Sequence, residues 1–128
     1  MKTMEVILKK ECKQLKKIVA EMKGRLQNTP KGNLRIAKKE KRVEYYYVAE
    51  GEENKNGSYI KKKNLDLAKN IAQRDYDAIV LKRATKRLKL IENFLKGYVK
   101  TNLCEVLRKT NSYRRELINP VLFLMKNL

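Results

Sequence analysis

Six consecutive residues, Asn28 to Asn33, separate two incompatible hydrophobic periods in this sequence. They read Asn-Thr-Pro-Lys-Gly-Asn. Proline removes a backbone donor and fixes its φ, while glycine opens backbone conformations closed to other residues, so neither a helix nor a strand continues through the run. Before it, Met4, Leu8, Leu15, Ile18, Met22 and Leu26 recur at three- and four-residue steps, with Glu11 interrupting the stripe and Cys12 beside it. That spacing predicts one face of a helix over 1–28. After it, Leu34 and Ile36 alternate with Arg35 and Ala37, and Val43, Tyr45 and Tyr47 alternate with Glu44, Tyr46 and Val48. Alternation of period two predicts two antiparallel strands joined by the charged turn KKEKR.

The rest of the chain extends this plan. Asn56-Gly57 is a favourable turn dipeptide, so Ser58 to Lys61 is expected to add a third short strand, completing a ribbon and loop over 33–63. Asn64 reads as an N-cap, with Asp66 in the first turn where the helix dipole favours it. Leu65, Ala68, Ile71, Ala72, Tyr76, Ile79, Val80, Ala84, Leu88, Ile91 and Leu95 then sustain a helical apolar face over 64–97, as one helix or two that kink near Asp77. Gly97 is the expected residue just past its end. Asn102 and Glu105 have capping-box spacing for a short helix to about Lys109, Ser112 to Leu117 suits another turn, and Asn119-Pro120 suits the start of a last helix in VLFLMKNL. The expected fold is a single α+β domain over 1–128, mainly helical: two long antiparallel helices, a two- or three-stranded antiparallel β-ribbon, and short helices over 98–128.

Charge narrows what such a domain can meet. Thirty-two Lys and Arg oppose 14 Asp and Glu, for a formal charge of +18, beyond the magnitude of about 2 to 8 typical of a soluble small domain. The excess is spread over every quarter of the chain and answers a polyanion. Histidine and tryptophan are absent. Cys12 and Cys104 lie far apart without metal-ligand spacing and read as small buried side chains in a reducing cytosol. The acidic loop AEGEENKNG lacks the alternating oxygen ligands of a calcium site. No metal or cofactor is expected. Glu-x-Lys triplets at Glu21–Lys23 and Glu53–Lys55 fall in a helix and a loop, without the second carboxylate a metal-dependent nuclease needs. No phosphate-binding glycine motif occurs, so the chain is not expected to be an enzyme. No apolar run approaches the roughly 20 residues of a membrane span, and no signal peptide opens the chain. A cytoplasmic location is expected.

Two readings of the ribbon stand side by side. In one, Tyr45, Tyr47 and Val43 pack against the long helices and Tyr46 covers the outer face. In the other, Tyr46 or Tyr59 stacks on an unpaired base while Arg35, Lys38, Lys39, Lys41 and Arg42 hold phosphates. Lys61, Lys62 and Lys63, and then Lys82, Arg83, Lys86, Arg87 and Lys89, extend the basic surface. On the first helix Lys9, Lys10, Lys13, Lys16, Lys17 and Lys23 form a further basic face. Membrane binding is disfavoured, because that helix has neither Trp nor Phe on its apolar side.

The segments LRIAKKEKRVEYYYV, NGSYIKKKNLDLAKNIAQRDYD, VLKRATKRLKLIENFL and SYRRELINP resemble the N-terminal region of uncharacterised proteins from Gram-positive bacteria, mostly clostridia. There, a helix–ribbon–helix region precedes a restriction-endonuclease-like nuclease domain. The resemblance implies a non-enzymatic nucleic-acid-binding module, a stand-alone form of a nuclease-associated recognition region. The nuclease motif has no counterpart before Leu128, so no catalytic residue carries over. Size and charge alone suggest an alternative, a phage- or mobile-element inhibitor of a host defence nucleoprotein, anti-CRISPR-like. The apolar tail suggests a second alternative, an oligomerisation or docking module forming a homodimer.

Overall fold

A computed structural model describes residues 3–53 and 55–121. The chain is mainly helical α+β, in the order α1 (Met4–Arg25), β1 (Asn33–Lys38), β2 (Val43–Val48), β3 (Ser58–Tyr59), α2 (Leu65–Lys100), α3 (Leu103–Lys109) and α4 (Ser112–Arg115). The last helix expected after Pro120, and the dimer contact expected of that tail, fall on residues outside those described. Among the described residues no helix is long and apolar enough to cross a membrane.

Helix α1 begins where the Thr3 hydroxyl accepts a hydrogen bond from the Val6 amide at 3.3 Å, a side-chain N-cap. It ends before Asn28, which takes a left-handed φ of 57°. Cys12, Leu15 and Met22 are its buried residues. Cys12 therefore takes the core position in the turn where Glu11 interrupts the stripe. Met4 and Ile18, expected in that stripe, are exposed, because α2 covers only part of the α1 surface. The two helices run antiparallel: Arg25 reaches Asp77 at 3.6 Å and Glu11 meets Arg87 farther along α2.

Helix α2 is one unbroken element past Asp77, which is buried at 2% exposure. Gln73 donates to the Asp77 carboxylate at 2.9 Å, so this buried charge is held within the helix and by Arg25 without a kink. Two expected boundaries differ. Asn64 makes no side-chain cap; a 3₁₀ turn, Lys62–Asn64, leads directly into the helix, and Lys61 holds the extended conformation instead. Gly97 lies inside α2, which continues to Lys100. The Phe94 and Tyr98 rings stack across that turn at 5.6 Å, and Thr101 closes the end by donating from its hydroxyl to the Gly97 carbonyl at 2.8 Å.

The ribbon is a three-stranded antiparallel sheet in the order β1-β2-β3. Leu34 lies opposite Tyr47, Arg35 opposite Tyr46 and Ile36 opposite Tyr45, while Tyr46 pairs with Tyr59. The Ile60 amide donates to Tyr45 at 2.8 Å, which extends the pairing and places buried Ile60 on the same face as Tyr45 and Tyr47. Helix α2 contacts β1 and β2, and Ile71, fully buried, lies beyond the end of α1 in the part of α2 that the sheet serves. Tyr47 is pinned by donating to the Lys31 carbonyl at 2.9 Å. Val43 and Ile36 are largely exposed, so Val43 does not join Tyr45 and Tyr47 in packing; it lies at the end of the ribbon that projects past the helix. Arg74 ties the connection down, donating to the carbonyls of Pro30 at 2.7 Å and Gly32 at 2.8 Å.

Short α3 opens with Asn102 accepting from the Cys104 amide at 2.9 Å, and α4 opens with Asn111 accepting from the Arg114 amide at 2.9 Å. Cys12 and Cys104 are both buried.

Candidate functional site

On the face of the sheet that carries Arg35, Tyr46 and Tyr59 the aromatic and basic residues engage one another. The Arg35 guanidinium lies 4.1 Å from the centroid of the Tyr46 ring, a cation–π contact. Tyr59 meets Tyr46 edge-on at 5.7 Å, and the Tyr46 hydroxyl donates to Glu44 at 3.1 Å. Arg35 also donates to the Asn56 carbonyl at 2.9 Å. Burial, and then the hydrogen bond to Glu44, hold the Tyr46 phenol above its ordinary value of 10.0. One face of the Tyr46 ring is thus occupied by Arg35. Tyr59, 53% exposed, is the more open aromatic surface.

At the ribbon tip, Lys39 donates its amide to the Arg42 carbonyl at 2.7 Å, closing the turn. Lys39 and Arg42 flank Glu44 at 3.8 and 3.3 Å. Lys38 and Lys41 are exposed and take part in none of the ion pairs among the described residues. Lys61, Lys62 and Lys63 are exposed at the start of α2.

The remaining predicted residues divide between two sides of α2. Lys82, Lys86 and Lys89 follow three- and four-residue steps on one azimuth, which is nearly that of Ile71 three turns earlier. They therefore continue the line of a residue that is fully buried at the start of the helix. Arg83 and Arg87 lie about 100° away from Lys82 and Lys86, one residue on. Arg87 grips Glu11 through two hydrogen bonds of 2.6 and 3.2 Å, so its role is to join the helices. That hydrogen bonding, aided by the charge of Arg87 and opposed by burial, holds the Glu11 carboxyl below its ordinary 4.5.

The basic row continues past Lys89, farther than the sequence expectation carried it. The same spacing runs on through Asn93 to Lys96 and Lys100, and placing the helix end at Gly97 hid the last member. Lys96 and Lys100 form one wall of a groove between α1 and α2, with Lys9, Lys13 and Lys16 on the opposite wall and Cys12, Leu95 and Val99 at its base. Lys9 pairs with Glu5 at 2.8 Å and Lys16 approaches Glu92 at 3.9 Å. Lys13, Lys96 and Lys100 enter none of the ion pairs among the described residues. The signal was present in the basic face of α1, but its partner wall is set only by how the two helices pack. Among the described residues no group of three or more His, Cys, Asp or Glu is arranged to hold a metal ion.

Comparison with protein-family models, with curated proteins and with solved structures finds no match.

Proposed function

We propose that this chain is a nucleic-acid-binding module that performs no catalytic step. The carrying observation is the row Lys82, Lys86, Lys89, Lys96 and Lys100, which faces Lys9, Lys13 and Lys16 across the inter-helical groove at its far end. From Lys82 to Lys100 the row spans about 27 Å at 1.5 Å per residue, long enough to follow several successive phosphates. A lysine ammonium is a flexible point charge that suits backbone contact without base readout. The ribbon supplies a second contact at the other end of α2, through Lys38 and Lys41 at its tip and through Tyr59, on which an unpaired base stacks. This reading accords with the resemblance noted above, in which such a region brings a nuclease to nucleic acid.

Filter binding of the full chain to a duplex oligonucleotide across a salt series tests the proposal. Each phosphate contact contributes a slope of about −0.9 in log K against log salt. Replacing Lys86, Lys89 and Lys96 together by alanine is expected to flatten the slope by about 2 to 3 and weaken binding, uniformly across sequences. Binding that is flat with salt, or a slope untouched by the triple substitution, refutes the assignment. Tight stoichiometric binding to a defence nucleoprotein, with little affinity for free nucleic acid, would assign the lysine row to inhibition instead.

A further inference from the structure

The opposite side of the helical hairpin is apolar where the groove side is basic. Glu11 and Arg87 meet across the seam between α1 and α2, which fixes what lies beside them. On α1, Met4, Ile7 and Ile18 fall on the azimuth of Glu11; on α2, Leu90, Phe94 and Tyr98 follow Arg87 at three- and four-residue steps. These six side chains are exposed: Ile7 by 52%, Leu90 by 61% and Phe94 by 50%. Two packed helices bury only the sides that face each other, so this stripe has no cover in the described chain. Single exposed apolar residues are ordinary, but a stripe that crosses two adjacent helices is a contiguous surface.

Charge decides what fits it. Lys10 and Lys17 border the stripe along the outer edge of α1, and Arg83, one turn before Arg87, extends it on α2. None of the three enters an ion pair among the described residues. Glu11, the carboxylate within the stripe, is already neutralised by Arg87. A second copy would bring the same cations, and another +18, against these. Six exposed apolar side chains around a neutralised carboxylate offer phosphates no partner within the stripe itself. We infer that this face docks an acidic amphipathic helix of a protein partner, whose apolar stripe covers Ile7, Leu90 and Phe94 and whose flanking carboxylates meet Lys10, Lys17 and Arg83. The hairpin then has two working sides, one for a polyanion and one for a protein.

The test uses the full chain and a fluorescein-labelled synthetic helix of about six turns, with leucines at i, i+3, i+4 and i+7 and glutamates on both sides of that stripe. Fluorescence anisotropy is expected to saturate at micromolar protein. A composition-matched scrambled peptide should bind about tenfold more weakly or worse, a gap of about 1.4 kcal/mol. Ile7→Gln with Leu90→Gln should lose the designed peptide by a similar factor while keeping the wild-type helical circular dichroism, since both side chains are exposed and the change adds no charge. Absence of binding overturns the inference, as does equal binding of designed and scrambled peptides, which would mean that charge alone suffices. It is also overturned if sedimentation finds a dimer that the double variant makes monomeric, or if that variant loses nucleic acid along with the peptide.

Discussion

Arg74 ties the connection between α1 and β1 to α2, and its removal should loosen that junction. Its guanidinium donates from one nitrogen to the carbonyls of Pro30 and Gly32 at 2.7 and 2.8 Å, and from two nitrogens to Asp75 at 3.0 and 2.7 Å. The Asp75 contact lies between neighbours on an exposed helix surface and contributes little. The two carbonyl contacts join segments more than forty residues apart and are partly buried. A hydrogen bond from a charged donor contributes about 1.5 to 3 kcal/mol; with two sharing one nitrogen in a partly solvated site, Arg74→Ala should cost about 2 to 4 kcal/mol. Against a total stability of about 5 to 15 kcal/mol for a domain, that is a large share. With a urea m-value of about 2 kcal/mol/M, the middle of the range for small proteins, the unfolding midpoint should fall by about 1 to 2 M. Arg74→Lys should recover roughly half, because an ammonium cannot reproduce the planar guanidinium's fixed donor geometry toward both carbonyls. A midpoint for Arg74→Ala within about 0.3 M of wild type, or full recovery by lysine, would refute the view that this fork fastens the sheet to α2.

Two further outcomes follow from single groups. Gly57 has φ of 74°, and a Cβ there would overlap the Tyr47 carbonyl oxygen and lie 2.9 Å from Val48 Cγ2, whereas Gly51, at φ 77°, has open space around it. Gly57→Ala should therefore destabilise by about 2 kcal/mol or more and Gly51→Ala by about 1, read as urea midpoints; equal effects would remove the steric argument. The Glu11 carboxyl is held below 4.5, so its pairing with Arg87 stabilises the fold above that pH and the contribution is lost as pH falls through the depressed folded value. The stability gap between wild type and Glu11→Gln should be full at pH 7 and close in acid, and a gap independent of pH would contradict it.

Much of the fold was legible because local periodicity and turn chemistry speak directly. The switch of period at Asn28 to Asn33 placed α1 and the ribbon, and β2 over Val43 to Val48 begins and ends where alternation does. Asn102 caps α3 as its spacing indicates. Gly97 misled because glycine permits a helix end without requiring one; the Phe94–Tyr98 stack carried the helix through it. Asn64 misled because a preceding 3₁₀ turn removes the extended conformation that an N-cap needs. Tyr76 and Ile79 fit the apolar period yet are exposed, since a stripe records which residues share a side and not whether a neighbour reaches it.

The candidate site divides the same way. Charge, its even spread, and the lysines of the ribbon and of α2 are properties of residue type and spacing, so the sequence by itself determined them. Only the tertiary structure decided that Arg87 is bound to Glu11, that Arg35 lies over Tyr46, and that Lys96 and Lys100 face Lys9, Lys13 and Lys16 across one groove. The physical reason is that periodicity sets the azimuth of a side chain on its own helix. What stands opposite depends on the antiparallel offset of α1 along α2, and that offset comes from burying Cys12, Leu15 and Met22 together with Asp77 and Ala84.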